Sequence, residues 1–149
     1  NNPRSKGLEF GKTYKIKNKV FDFKNTLLAE KKILYELKKN KINLICLAGF
    51  MKILSNFFIK SFKGKILNIH PSLLPKFKGL NTHQRAIENN EKYSGCTVHF
   101  VSSKLDSGKI ILQKKVKINK KDNAKTLAKK ILIQEHKLYP RAILKVFSL

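Results

Sequence analysis

Apolar and polar positions follow two different rhythms along this chain, and the switches between them mark its elements. Residues 26–40 set Leu27, Leu34 and Leu37 on one side with Ile33 close by, and gather lysines at 38, 39 and 41. This predicts an amphipathic helix with cations near the negative end of its dipole. Residues 42–48, Ile-Asn-Leu-Ile-Cys-Leu-Ala, are almost continuously apolar and predict a buried parallel strand ended by Gly49. A short helix follows over 55–63, carrying Phe57, Phe58, Ile59 and Phe62, and Gly64 closes it. Residues 65–70 predict a second strand, which runs into a stiff loop containing Pro71, Pro75 and Gly79. A helix over 82–90 takes Thr82 as its N-cap. Strand Cys96–Val101 comes next, after Gly95. Residues 109–118 read as extended, after an Asp106-Ser107-Gly108 turn. Residues 123–146 predict a long amphipathic helix starting near Asp122 or Asn123, with Leu127, Ile131, Leu138 and Ile143 toward the core. Pro140 is placed to bend or split it, because it lacks an amide donor and crowds the preceding turn. Residues 1–19 show no period, are interrupted by Gly7 and Gly11, and read as loop or a frayed edge.

Alternation of helix and strand predicts an α/β class with a mainly parallel sheet flanked by helices. The 149 residues suit one domain and contain no internal repeat. Domains of this class usually open with a strand and a glycine-rich turn that holds phosphate. Here a basic, irregular stretch stands in that place, so the domain over 1–149 is expected to be incomplete at its N-terminus.

Composition narrows the function classes. With 42% hydrophobic residues a core can form, and no apolar run approaches the length of a membrane span. Lys and Arg number 33 against 9 acids, a formal charge of +24, yet only Arg4, Arg85 and Arg141 are arginines. The lysines are spread along the whole chain without interleaved aromatic platforms, which favours a lysine-biased solvated surface over specific nucleic-acid recognition. A basic nucleic-acid-binding module stands as the alternative of a different class. Cys46 and Cys96 lie in apolar runs and read as small buried hydrophobes.

Candidate chemistry concentrates at the end of the second strand. Asn68 and His70 are two residues apart, so an extended strand points both side chains the same way. They occupy the carboxyl end, where open α/β sheets bind ligands. A satisfied structural histidine is the competing reading of His70. Asp106 is either the first residue of an Asp-Ser-Gly turn or a carboxylate partner for His70. With Asn68 as an amide donor, such a pair would stabilise a tetrahedral oxyanion and carry a proton, which suits acyl or formyl transfer to an amine. His83, His99 and His136 lack zinc-site spacing, His99 reads as part of a sheet face, and no metal is expected. Glu135 is either a surface acid or reaches a polar ligand.

Several blocks together carry a family likeness. They are Leu47-Ala48-Gly49-Phe50-Met51-Lys52-Ile53-Leu54-Ser55, Ile66-Leu67-Asn68-Ile69-His70-Pro71-Ser72-Leu73-Leu74-Pro75 and Gly79-Leu80-Asn81-Thr82-His83, then Gly95-Cys96-Thr97-Val98-His99-Phe100-Val101, Leu105-Asp106-Ser107-Gly108, Ile110-Ile111-Leu112-Gln113 and Gln134-Glu135-His136-Lys137-Leu138-Tyr139-Pro140. In this order the chain resembles the phosphoribosylglycinamide formyltransferases, folate-dependent enzymes of purine synthesis. The resemblance implies a formyltransferase-type Rossmann-like fold and transfer of a formyl group from 10-formyltetrahydrofolate to the amine of phosphoribosylglycinamide. It implies catalytic roles for Asn68, His70 and Asp106. Met51, Lys52, Ile53 and Leu54 would line one wall of the folate pocket and Ser103, Lys104, Leu105 and Asp106 the other, with Asn68 also contacting folate. Gly49 and Glu135 would contact the glycinamide substrate. A cytoplasmic monomer or weak homodimer, with no membrane or specific nucleic-acid partner, completes the expectation. Another folate-dependent formyltransferase, such as the methionyl-tRNA enzyme, or an inactive fragment, are the alternatives. The chain departs from the family first in lacking its opening strand and phosphate-holding Gly-Ser-Gly-Ser-Asn type loop, and then at three further places. Lys52 replaces a common arginine. Asn81 and Lys78 replace a usual histidine and proline. A folate-binding arginine before the 26–40 helix has no match near Phe23–Thr26.

Overall fold

A computed structural model describes residues 4–148 of the chain. The elements run α1 (Lys6–Thr13), α2 (Thr26–Lys39), β1 (Leu44–Leu47), α3 (Asn56–Ser61), β2 (Lys65–His70), α4 (Thr82–Glu88), β3 (Tyr93–Phe100), β4 (Ile110–Lys117) and α5 (Ala124–Phe147). They fall into two compact units. One holds the described residues up to Asn43 with Leu54–Lys63, and the other holds Leu44–Ile53 with Gly64 onward.

The first unit contains α1, α2 and α3. The expected loop over 1–19 is corrected by α1; residues 1–3 of that expectation lie outside the described residues. Glu9 in the first turn and Lys12 in the last both complement the dipole, and the Thr13 hydroxyl donates to the Glu9 carbonyl. These offset the roughly 1 kcal/mol that each helical glycine costs. The α2 helix starts where Asn25 accepts from the Leu28 amide and ends in Lys38 and Lys39. Its buried positions are Ala29 and Glu30, whereas Leu27, expected in the apolar stripe, is 51% exposed. The fully buried Glu30 carboxylate accepts from the Ser55 amide at 2.7 Å and from the Ser55 hydroxyl. That hydroxyl in turn accepts from the Phe58 amide and caps α3. Phe58 is buried and stacks on Phe62.

The second unit is a four-stranded sheet in the order β1-β2-β3-β4. β1 pairs parallel with β2, while β2–β3 and β3–β4 are antiparallel. The α/β class holds, but the sheet is mixed where a mainly parallel one was expected. The nine residues between β3 and β4 are too few for the crossover that a parallel pair needs. Among the described residues β1 pairs on one side only, and this edge position leaves Cys46 exposed, correcting its expected burial. The Tyr139 hydroxyl reaches from α5 to the Leu47 and Leu67 carbonyls at 2.9 and 3.1 Å, tying β1 to β2. Cys96 is buried as expected, and burial pushes its thiol up to about 12, which leaves it inert at neutral pH.

α5 covers β3 and β4 and meets α4. Ala86, Cys96, Val98, Leu127, Ile131, Leu138 and Ala142 form the core there. Asn123 and Thr126 form a reciprocal capping box at the start of α5. The helix continues through Pro140 to Phe147 without splitting. Gly95 is required by close approach, since a Cβ there would lie 2.0 Å from the Lys114 carbonyl oxygen. Among the described residues no helix is long and apolar enough to cross a membrane.

Candidate active site

The carboxyl end of β2 gathers polar side chains, of which His70, His99 and Asp106 are buried and Asn68 is half-buried. His70 is 6% exposed and Asp106 9%. Antiparallel register places Asn68 opposite His99 and His70 opposite Thr97. Asp106 arrives from the β3–β4 connection with a φ of 44°, a left-handed conformation that Asp tolerates better than most residues. One of its carboxylate oxygens, Oδ2, accepts from the Gly79 amide at 2.9 Å and lies 3.4 Å from His70 Nδ1. The other, Oδ1, is 3.7 Å from His99 Nε2.

Hydrogen-bond chemistry fixes where the ring protons sit. His70 Nε2 lies 2.9 Å from the Phe77 carbonyl oxygen, which can only accept, so Nε2 carries a proton. A second proton on Nδ1 would point at Asp106, making His70 a cation held between a carboxylate and a carbonyl. His99 is the opposite case. Its Nδ1 donates to the Phe100 carbonyl at 2.8 Å, and burial lowers its pKa despite that bond and the nearby Asp106. The ring is therefore neutral, and its bare Nε2 accepts from the Asn68 amide nitrogen at 3.4 Å. This contact orients the Asn68 side chain and leaves it a second N–H. His83, on α4, is likewise held below the usual imidazole range, first by burial and then by the charge of His70. Its Nδ1 is buried and has no hydrogen-bond partner among the described residues.

Asn68, His70 and Asp106, singled out in the sequence, are thus brought together. The two readings of Asp106 coexist, since it shapes the turn and faces His70. Glu135, on α5, is half-buried; burial raises its pKa, while the charges of His136 and His70 pull it back. It therefore lies within electrostatic reach of the site. Gly49 follows β1 with a φ of 63°, and no atom of the described residues lies within 4 Å of where a Cβ would stand. Met51, Lys52 and Ile53 lie on an exposed stretch beyond it, whereas Leu54 is buried within the other unit. Ser103, Lys104 and Leu105 are exposed in the β3–β4 connection. Thr82 is not the N-cap of α4: Asn81 occupies that position, in a left-handed conformation and without a capping bond from its side chain, and Thr82 is buried as the first helical residue. Among the described residues no group of three or more His, Cys, Asp or Glu side chains is arranged to hold a metal ion.

Two participants escaped the sequence reading. His99 was assigned to a sheet face, and it does lie on β3, but that face is the site. The signal was its even spacing from Thr97 on the same strand, which becomes informative only with the β2–β3 register known. The Phe77 carbonyl had no signal, because a main-chain acceptor leaves no mark in composition.

Comparison with known proteins places the chain in one family. The model of the formyl transferase family matches residues 1–143. A phosphoribosylglycinamide formyltransferase of Haemophilus influenzae is 46% identical over 140 residues, covering 92% of this chain and 66% of the relative. The human trifunctional purine biosynthetic protein adenosine-3 is 45% identical over 126 residues, covering 85% of this chain but 12% of that protein. The crystal structure of phosphoribosylglycinamide formyltransferase from Anaplasma phagocytophilum superposes with a TM-score of 0.90 at 42% identity, covering 96% of this chain and 69% of that one. The chain thus spans under two thirds of the length of these curated relatives.

Proposed function

Because the chain belongs to the formyl transferase family, we propose that it is the catalytic part of an enzyme that moves a formyl group from 10-formyltetrahydrofolate to the amine of 5-phosphoribosylglycinamide. The observation that carries this reading is the grouping of half-buried Asn68 with buried His70 and Asp106, and with His99 behind Asn68, at the carboxyl end of β2.

The amine nitrogen attacks the formyl carbon, and the carbonyl π electrons move to oxygen. The resulting oxyanion is met by the Asn68 N–H and by the His70 imidazolium, whose positive charge Asp106 balances. Collapse re-forms the carbonyl and breaks the bond from carbon to the folate nitrogen. The proton lost by the amine passes to that nitrogen, giving tetrahydrofolate and the formylated amide. His70 stabilises charge while Asp106, 3.4 Å from its Nδ1, orients the ring and balances that charge. Folate is assigned to Met51, Lys52 and Ile53, to the backbone at Leu54, and to Ser103, Lys104, Leu105 and Asn68. Gly49 and Glu135 are assigned to the glycinamide substrate. A cytoplasmic monomer or weak homodimer is the proposed setting, and the lysine-rich surface would draw in a phosphorylated substrate and an anionic folate.

We also propose that a preceding segment completes the domain and supplies the phosphate-binding turn. The one-sided pairing of β1 supports this, as does the shorter span of this chain against its relatives. The test is formyl transfer to phosphoribosylglycinamide by this chain and by an N-terminally completed version. Turnover in the completed protein is the expected result. Its absence, or transfer to methionyl-tRNA in its place, would remove the assignment.

A further inference from the structure

The Ile110–Gln113 stretch has no place in the chemistry above, yet the register carries the site straight to it. His70 on β2 stands opposite Thr97 on β3, and Thr97 stands opposite Gln113 on β4. The three residues form one row across the sheet. Gln113 Nε2 donates to the Thr97 hydroxyl and to the Leu74 carbonyl, both at 2.9 Å. The Thr97 hydroxyl donates to the Ser72 carbonyl at 2.7 Å and accepts from the Leu74 amide at 3.1 Å. Its one donor and both acceptor positions are therefore filled, in a residue with no solvent exposure.

This network grips the loop that leaves His70. Ser72 and Leu74 are its anchor points, and both are buried. Beyond them the Ser72 hydroxyl donates to the Lys76 carbonyl at 2.6 Å, folding the loop back. The next residue, Phe77, sits at a φ of 55° and presents its carbonyl to His70 Nε2. The loop thus returns to the histidine from which it started, and its middle is fastened to the sheet by Gln113. The fastening needs two N–H groups on one nitrogen at that reach. Glutamate and methionine match glutamine in length and offer no donor.

We propose that Gln113 is a positioning residue for His70: its amide clamps the 71–77 loop to the β3–β4 ladder and so holds the Phe77 carbonyl on the His70 ring. The kinetic consequence rests on the formyl-transfer reading; the structural one does not. The test is imidazole nitrogen and proton resonances in the 15N-labelled chain, for the parent, Gln113→Glu and Gln113→Met. In the parent, the His70 Nε2–H exchanges slowly with water. In the variants it exchanges at least tenfold faster, while the His99 Nδ1–H, bonded to the Phe100 carbonyl, is unchanged. In the N-terminally completed protein, kcat falls about tenfold and KM for the formyl donor stays within twofold. Unchanged His70 exchange in a folded variant overturns the proposal. So does failure of both variants to fold, which would make Gln113 a residue of the fold. If the His70 signal responds as stated but the completed parent transfers no formyl group, the positioning role stands and the reaction assignment falls.

Discussion

Replacing Asp106 by asparagine separates charge from shape at the centre of the site. The substitution keeps the outline and suits the left-handed backbone at this position, where Asn is as well accepted as Asp. The amide oxygen can take the place of Oδ2, still accepting from Gly79 at 2.9 Å. The amide nitrogen then takes the place of Oδ1, 3.7 Å from His99 Nε2, and shares that nitrogen's lone pair with the Asn68 amide. The hydrogen bonds at this position should therefore be kept to within about 1 kcal/mol, the net worth of one ordinary hydrogen bond. What is lost is the counter-charge of His70. Two unit charges 3.4 Å apart attract by about 5 kcal/mol at an effective dielectric constant near 20. The amide dipole recovers part of this, leaving a deficit of about 3 to 4 kcal/mol in the charged transition state. That corresponds to a loss of about two to three orders of magnitude in turnover. The assay is formyl transfer by the N-terminally completed protein, with urea midpoints measured alongside. Turnover within fivefold of the parent would refute the charge-balancing role. A stability loss above about 2 kcal/mol would show that the carboxylate is needed for the fold.

Three other substitutions or conditions probe separate parts of the argument. Gly108→Ala would put a Cβ 1.8 Å from the Phe100 carbonyl oxygen, a backbone atom that cannot swing aside; about 3 kcal/mol or more should be lost in urea unfolding, and a loss under 0.5 kcal/mol on the order of measurement error would contradict the close approach. Glu30→Ala should cost about 2 to 4 kcal/mol by stranding the Ser55 amide and hydroxyl, whereas Glu30→Gln, whose oxygen still accepts, should cost less; equal losses would show that charge matters more than the bonds. Burial holds His99 and His83 below their ordinary 6.5, so between their folded values and 6.5 the unfolded chain binds more protons. Stability should rise with pH up to about 6.5 and be lost as acid is added below it, and His99→Gln should flatten the change in urea midpoint between pH 7.5 and 5.5. Glu135, raised by burial, acts in the opposite sense only above its ordinary 4.5.

Local pattern carried most of the element positions. Six consecutive residues of β2 and the start of α5 at Asn123 were readable because period and capping chemistry agreed. Boundaries slipped where two residues could serve one role. Asn81 and Thr82 are both residue types that favour an N-cap, and Asn81 holds the position in the left-handed conformation it tolerates, without a side-chain cap bond. Sheet direction was less legible, since it depends on how the chain returns and not on the apolarity of a strand. Cys46 shows the same limit, because an apolar run does not reveal that its strand is at an edge. Glu30 went unremarked for the converse reason: one acid on a lysine-rich helix looks solvated until its long-range partner Ser55 is known. At the site, spacing and position were enough to single out Asn68 and His70, but His99 needed the register.

The Phe77 carbonyl on His70 Nε2 gives the proposed reaction a built-in competitor. The proton that an oxyanion would take is already shared with a neutral oxygen of the protein's own chain. A formyl oxygen in the ground state is also neutral and offers little advantage over that incumbent. Only when negative charge develops does the newcomer become the better acceptor, since bonds to ionised oxygen are about twice as strong. Exchange of acceptors is then driven by the chemical step itself, and stabilisation is withheld from the bound substrate and released to the transition state. Water faces the same contest and, being neutral, is held off from the histidine for the same reason.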